Sequence, residues 1–427
     1  MIGNERQTSS ALRVFHHEVD QMYGLELNHS NKRTDESPDG FSLRQSVEDC
    51  RIAICHVTEG SAWAGAEVQV ATLLRALSKC PEIALHAIVL HEGRLAHELR
   101  SFGVVVQVIN NQHKSFPQIV SECSAFVRSR NIQVLHSHDY KLNLIALSLS
   151  HICNVPHLVR TEHGRPEPYS AVRNLKHWCV LIADRLAARY TSAQILSVSS
   201  DLGEYWKMHV NPRNVTVLHN AVDLERVSSN FSPAEAKRRL GIPCDSFVVG
   251  IAARLECIKR HDLFIATARY LAERIPKSNF IIAGGGRQKE SLQRLILEAG
   301  LQERVALLGE RNDVYDVMRA MDILLICSDH EGIPMVMLEA MALGVAVVAR
   351  KVGGMPEVIR HGVNGILVPS DSPVDLGRAC WSIFKRPRLR ANLTQIACDE
   401  IHRRYSAEKH ARTVAELYQS ICRRQVQ

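Results

Sequence analysis

Phe247-Val-Val-Gly-Ile-Ala252 is an unbroken run of apolar and small residues that follows a polar, turn-rich stretch over 224–245. A run of that length without alternation reads as a strand buried on both faces, the kind that parallel sheets contain. Its place in the chain decides the fold. Upstream, apolar runs at 51–57, 84–90, 104–109, 132–136, 157–160, 194–198 and 214–218 are separated by helix-length stretches such as 66–78, 117–129 and 171–190. Downstream the alternation restarts, with runs at 279–283, 304–308, 322–327, 345–349 and 365–368. Strands spaced by helices imply β-α-β units and a parallel sheet. The chain therefore reads as α/β, with two doubly wound Rossmann-like domains facing each other across a cleft.

The boundaries follow from the same pattern. Residues 1–50 read as an extension outside the fold, polar and without a period from Asn28 to Asp39. The first domain is expected over 51–222, a linker over 223–245 and the second domain over 246–405. A last helix, about 407–424 within a final segment 406–427, follows a break at Arg403-Arg404-Tyr405-Ser406. A length of 427 residues suits two domains of about 200 residues each.

Composition narrows the function classes. Aromatic residues are only 5% of the chain and no basic-aromatic cluster occurs, which argues against nucleic acid as a partner. The net charge of +7 suits a phosphate-bearing ligand or an anionic membrane face better than a DNA groove. The 12 cysteines show no C-x-x-C pair, and Cys55 and Cys327 sit inside apolar runs, so a reduced, cytoplasmic setting is expected. No signal-peptide pattern opens the chain and no apolar run reaches membrane-spanning length.

In open α/β sheets, ligands bind beyond the carboxyl ends of the strands. The most informative motif stands at such an end. Ser328-Asp-His-Glu-Gly-Ile-Pro-Met-Val-Met-Leu-Glu-Ala-Met-Ala342 follows the strand that ends at Cys327. Pro334 is placed as the first residue of a helix, where its missing N–H costs nothing. The amides of Ile333, Pro334's neighbours Met335 and Val336, and the loop at Gly332 then form an anion site suited to a diphosphate. Glu331 before the helix and Glu339 within it can each accept hydrogen bonds from hydroxyls at opposite ends of a sugar nucleotide. Either glutamate alone reads as an ordinary capping or surface residue; the combined spacing after a strand is what points to a site.

Other features gain meaning from position. Arg254-Leu-Glu-Cys-Ile-Lys259 offers two cations at the end of the second domain's first strand, able to clamp a diphosphate. Gly65, between a strand and a helix, lets backbone approach a ligand. Gly284-Gly285-Gly286 lacks dinucleotide spacing and reads as a tight turn near the donor. His136 and His138 read as structural histidines or, less well, as metal ligands, because no third ligand has supporting spacing. His163, followed by glycine at a strand end, reads as a cleft residue. The stretch 171–190 carries cations beside Trp178 and aliphatic residues; it fits an anionic membrane surface or an ordinary packing helix.

The order of Gly65-x-Glu67, His163-Gly164, Arg254…Lys259, Glu331…Glu339 and Gly353-Gly354-Met-Pro-Glu357 resembles the retaining glycosyltransferases of family 4, which have the GT-B fold. The resemblance implies a hexosyltransferase-type enzyme of cell-surface polysaccharide synthesis. It also implies that Arg254 and Lys259 bind the donor diphosphate, Glu331 the donor sugar and Glu339 the ribose, with His163 beside the reacting carbon. The last helix would cross back to the first domain. The chain departs from the family at Ala64-Gly65, where Gly-Gly is frequent, at Asn220-Ala-Val-Asp223 and at Lys259-Arg260.

The expected reaction is transfer of a sugar from a nucleotide-diphosphate donor, a UDP-sugar by preference, to a hydroxyl of a saccharide or lipid-linked acceptor. That places the protein in the cytoplasm or at the inner face of the membrane. No Asp-x-Asp triplet occurs, so fixed cations are expected in place of a metal, with no separate cofactor. Arg254, Lys259, His163 and Glu331 carry the chemistry in this scheme. Two rival functions share the architecture: a nucleotide-sugar-binding protein without turnover, and a sugar-nucleotide epimerase. A nicotinamide oxidoreductase is disfavoured because neither first turn carries G-x-G-x-x-G.

Overall fold

The computed structural model describes residues 51–164 and 175–423. The extension expected over 1–50 and the first residues of 171–190 lie outside the described residues. Thirteen strands form among those described, each within two residues of an apolar run named above. The first sheet holds β1 (Ile52–Thr58), β2 (Ile83–Val89), β3 (Val105–Val108), β4 (Val134–Ser137), β5 (His157–Glu162), β6 (Gln194–Ser197) and β7 (Val215–Val217) in the order β3-β2-β1-β4-β5-β6-β7. The second holds β8 (Phe247–Ala252), β9 (Ser278–Ala283), β10 (Val305–Gly309), β11 (Ile323–Ile326), β12 (Ala346–Arg350) and β13 (Ile366–Val368) in the order β10-β9-β8-β11-β12-β13. Every pairing is parallel.

Both sheets are buried on both faces, which is why their strands read as continuous apolar runs. In β8, Val248 and Ala252 pack into one core while Phe247, Val249 and Ile251 pack into the other. In β1, Ile54 faces the helix Gly65–Leu77 and the last helix, Ala407–Arg423, whereas Cys55 and Val57 face the opposite layer.

The last helix contributes Ala407, Ala411, Val414, Tyr418 and Ile421 to the core of the first domain. The chain thus passes between the domains twice, and the two passes are stitched together. Val222 N–H donates to Tyr405 O at 2.8 Å and Ala407 N–H donates to Val222 O at 3.0 Å.

Each sheet reverses direction of winding once, between β1 and β4 and between β8 and β11. A crevice opens beyond the strands' carboxyl ends at such a switch point. The loops there start at Glu59, His138, Ala253 and Cys327, and the two crevices face each other.

Candidate active site in the cleft

A cavity of about 1390 Å³ lies between the domains, lined from both sides. Gly65, His163, Arg254, Lys259, Glu331, Gly332, Ile333, Pro334, Met335, Val336 and Glu339 all line it. The topology brings them together: residues far apart in sequence leave adjacent strands at the same end.

The second domain supplies the charged wall. Lys259 closes a short 3-10 turn, Cys257–Lys259, after β8. Its Nζ is ion-paired with Glu331 Oε1, which also accepts from Ser328 Oγ at 2.6 Å. Backbone ties the two loops, since Asp329 N–H donates to Ile258 O at 2.9 Å. Arg254, by contrast, is exposed on the cavity wall. The two cations therefore differ: Lys259 is held by a carboxylate, and Arg254 stands exposed on the wall.

Arg260 stands where the family often has glycine, and its φ is +52°. That left-handed conformation is costly for a side chain. Its guanidinium is held by Asp262 and by Asp329 at 3.0 Å, and Asp329 also accepts from Arg350 at 2.5 Å. The departure at Lys259-Arg260 thus adds an ion-pair network behind the cavity rather than altering its wall.

The helix that follows Glu331 spans Met335–Ala342, and Pro334 is its extended cap, with φ −70° and ψ 134°. This corrects the expected placement of Pro334 as the first helical residue. The first two residues of this helix, Met335 and Val336, line the cavity, and amides at that position have no intrahelical partner in any α-helix. Asn220 of the interdomain segment holds the helix start, donating from Nδ2 to Ile333 O at 2.7 Å. Glu339 lies deeper, buried, with one hydrogen bond from Tyr315 Oη at 3.2 Å. Burial pushes its carboxyl up to about 7, against a smaller lowering from Tyr315 and Arg226.

Glycines let the loops close on one another. A Cβ on Gly353, whose φ is +49°, would sit 1.8 Å from Glu331 O. A Cβ on Gly332 would sit 3.0 Å from His163 O and 2.9 Å from Val198 Cγ2. Gly332 therefore allows the Glu331 loop to reach across the cleft to His163. The triple glycine forms a turn with similar close approach: a Cβ on Gly284 would meet Ala253 O at 1.9 Å.

The first domain supplies Gly65 at the start of its first helix, with Glu67 Oε2 accepting from Ala64 N–H at 3.2 Å. His163 follows β5. Its Nε2 contacts His138 Nδ1 at 3.3 Å, and its Nδ1 is buried without a protein partner. Burial, and secondarily His410, pushes the His163 imidazole down to about 4.

His56, His136 and His138 have ring nitrogens within 4.8 Å of one another. Sequence spacing named no third histidine. The fold supplies it, because His56 of β1 is the register partner of His136 in β4. The nitrogens are nevertheless occupied by one another and by hydroxyls. His56 Nδ1 lies 2.9 Å from His138 Nε2, a hydrogen-bond distance that uses both nitrogens.

Two residues that hold the site together were assigned no role by the sequence analysis, where Glu357 stands only as the end of a motif shared with the family. Glu357 accepts from Ser200 N–H at 2.8 Å, Ser200 Oγ at 2.7 Å and His219 Nε2 at 2.8 Å, joining the second domain to a helix start of the first. Asn220 was noted only as part of a departure from the family pattern. Both act across the domain boundary, where no local signal exists.

Comparisons with known proteins bear on this geometry. Residues 233–399 match the family described as Glycosyl transferases group 1, and residues 63–226 match Glycosyltransferase Family 4. An uncharacterised glycosyltransferase of Methanocaldococcus jannaschii is 28% identical over 296 residues, covering 67% of this chain and 74% of that protein. The UDP-Gal:alpha-D-GlcNAc-diphosphoundecaprenol alpha-1,3-galactosyltransferase of Escherichia coli is 26% identical over 249 residues, 57% of this chain and 64% of its own. HepE of Anabaena, solved in complex with UDP and glucose, shares the fold with a TM-score of 0.77 at 21% identity, covering 87% of this chain and 100% of that one.

Proposed function

The chain belongs to the group 1 glycosyl transferases, of the family 4 type, and from that premise we propose that it moves a sugar from a nucleotide-diphosphate sugar to an acceptor hydroxyl with the anomeric configuration retained. One observation carries the proposal. Arg254, Lys259 and the start of the helix Met335–Ala342 converge on a single cavity with two carboxylates in different states. Glu331 is ion-paired and Glu339 is buried with one neutral donor.

The barrier to such a transfer lies in parting an oxocarbenium-like sugar from a diphosphate that gains charge. Fixed cations and helix amides aimed at the leaving diphosphate lower it most, because they need no reorganisation. Lys259 can serve there as the donor's hydroxyls take over Glu331. The acceptor proton passes to a donor phosphate oxygen on the same face, so Glu331 orients the sugar and does not attack it. Uridine as the base is supported by the UDP-Gal named for the Escherichia coli relative and by the UDP bound to HepE. A thermal-shift screen of nucleotide sugars tests the donor. A true donor at 100 times its Kd should stabilise the fold by about 2.7 kcal/mol; no shift with any nucleotide sugar would contradict the proposal.

Glu339 gives a pH signature. Two ribose hydroxyls donate to a carboxylate but compete poorly for its protonated form. UDP-glucose affinity should therefore rise as pH increases through about 7, the point where burial places this carboxyl. Below that point binding should release a proton, and affinity should fall by up to about tenfold per pH unit. Titration calorimetry in two buffers of different ionisation enthalpy measures this. A flat profile, or an unchanged slope in Glu339→Gln, would contradict the ribose role.

A lipid-linked acceptor is supported by the helix Leu175–Tyr190. Trp178, Ile182, Leu186 and Tyr190 are exposed at four-residue intervals, one continuous stripe, with Arg185 and Arg189 exposed beside it. No helix among the described residues is long and apolar enough to cross a membrane. Such a stripe suits binding in the plane of an anionic interface. The protein should float with vesicles containing anionic lipid, and Trp178→Glu with Ile182→Glu should cut that binding more than tenfold. Equal flotation of the double variant would contradict the role of the stripe.

A further inference from the structure

We infer that Arg185 holds the phosphate of a lipid-linked acceptor, at the edge where the helix Leu175–Tyr190 passes from cavity wall to exposed apolar stripe. Six cations line the cavity among the described residues: Arg94, Arg185, Arg226, Arg254, Lys259 and Arg311. Four of them are engaged by the protein. Lys259 is ion-paired with Glu331, Arg226 pairs with Glu98 at 2.8 Å and Arg311 with Asp313 at 2.6 Å. Arg94 donates to Asn312 Oδ1 at 3.1 Å, and its guanidinium lies 4.2 Å from the centre of the Trp63 ring. Arg254 and Arg185 are exposed and form no ion pair among the described residues. Arg254 stands in the second domain, on the donor's wall; Arg185 stands in the first domain. An unpaired cation on each wall calls for an anion on each substrate, and the donor diphosphate accounts only for the first.

Helix geometry sets Arg185 at a boundary. Leu181, Asp184 and Arg185 line the cavity, whereas Trp178, Ile182, Leu186 and Tyr190 form the exposed stripe. At about 100° per residue, Arg185 lies roughly 60° round the helix from Ile182, on the side of Leu181, which lies at about 100°. The cavity face and the stripe therefore meet at Arg185. Arg189, one turn on, is exposed but does not line the cavity. Asp184 fixes the rotation of the helix. It accepts from Arg160 Nη2 at 2.8 Å and from Asn143 Nδ2 at 3.0 Å, and Arg160 Nε donates to Glu162 at 2.6 Å. Arg160, Asn143, Glu162 and Asp184 are all buried. Breaking such a buried pair is strongly destabilising, so the helix cannot roll Arg185 away from the cavity. The carboxylate next to Arg185 in the chain is thereby committed to Arg160.

Calling the ligand an acceptor rests on the proposed transfer. In that reaction the acceptor sugar enters the cavity while its lipid stays beside the stripe, in the plane of the membrane. The group that joins sugar to lipid then passes over Arg185. A phosphate ester or diphosphate fits this position. It keeps its negative charge at neutral pH, and two of its oxygens can accept parallel N–H bonds from one planar guanidinium. A plain glycosidic link carries no charge and would leave the cation unmatched. The ring of Tyr205 lies 5.8 Å from the guanidinium carbon, within cation–π range, and gives the side chain a backing on the cavity wall.

Farnesyl diphosphate, a lipid diphosphate without a sugar, tests the subsite without turnover, and farnesol is its phosphate-free control. The full chain is saturated with UDP to fill the donor site and titrated by calorimetry below the micelle concentration of the lipid. Farnesyl diphosphate should bind, and farnesol at least tenfold more weakly. Arg185→Ala and Arg185→Gln should each weaken farnesyl diphosphate roughly 10- to 100-fold, the range for losing a charge-assisted hydrogen-bonding partner. Arg185→Lys keeps the charge without the fork and should lose less. Failure of the wild-type chain to bind farnesyl diphosphate overturns the subsite, as does unchanged affinity in the Arg185 variants. Equal competition by dihexanoyl phosphatidylglycerol also overturns it, because Arg185 would then be a site for bulk lipid headgroups. In a transfer assay, the ratio of kcat/KM for a diphosphate-linked acceptor over the alkyl glycoside of the same sugar should fall by the same factor in Arg185→Ala. No transfer to either acceptor by the wild-type chain would contradict the proposed function, and calorimetry would still decide the role of Arg185.

Discussion

Lys259→Ala is expected to lower kcat with a defined nucleotide-sugar donor by roughly 10²–10³-fold, the range for losing one preorganised donor to a developing oxyanion. Lys259 follows β8 and lines the same cavity as Met335 and Val336 at the start of the helix Met335–Ala342, so removing it strips charge from where the proposed transfer puts the leaving diphosphate. Its pairing with Glu331 raises a second possible cause, because truncation also leaves a partly buried carboxylate with only Ser328. The double variant Lys259→Ala with Glu331→Gln separates the two. If Lys259 acts on the diphosphate, neutralising Glu331 restores nothing and activity falls further. If Lys259 served only to balance Glu331, the double variant would recover much of the rate. Near-full activity in the single variant would remove Lys259 from the leaving-group role altogether.

Gly353→Ala should be among the most damaging changes that remove no charge. A methyl there would lie 1.8 Å from Glu331 O, on backbone already at φ +49°. Strain of roughly 1–3 kcal/mol follows from the backbone conformation alone. The clash can be relieved only by moving the Glu331 segment, whose carbonyl also accepts from Gly354 N–H at 3.1 Å. Donor affinity should therefore fall by about 10- to 100-fold, with a lower melting temperature. Gly362→Ala is the control: its φ is +75°, but a Cβ there meets nothing within 4 Å. It should lose stability and keep its donor affinity. Equal loss of donor affinity in both variants would mean that the Glu331 loop is not held by Gly353.

The strands were legible because a sheet buried on both faces needs unbroken apolar runs, and helices between them need a different period. Phe247–Ala252 and Ile323–Ile326 illustrate this, each standing at its expected place. The cavity-lining set was legible because position at a strand's carboxyl end is a sequence property once the sheet is parallel. Pairings were not. Lys259 meets Glu331 across 72 residues, and Tyr418 meets His136 across 282. Such contacts depend on strand order, and nothing local shows that β1 and β4 are neighbours. His56 was hidden for that reason, inside a run that otherwise reads as core. Glu357 was hidden differently: its carboxylate serves a helix start in the other domain, a contact that depends on how the domains meet.

The central claim is transfer with retention from a nucleotide-diphosphate sugar, and product stereochemistry tests it most directly. Purified protein with UDP-glucose or UDP-galactose and a lipid-linked saccharide acceptor is followed by ¹H NMR of the anomeric protons. An α-linked product should appear in step with released UDP, the configuration of the donor carried into the new bond. A β-linked product, or donor converted to another nucleotide sugar without any acceptor, would contradict the account.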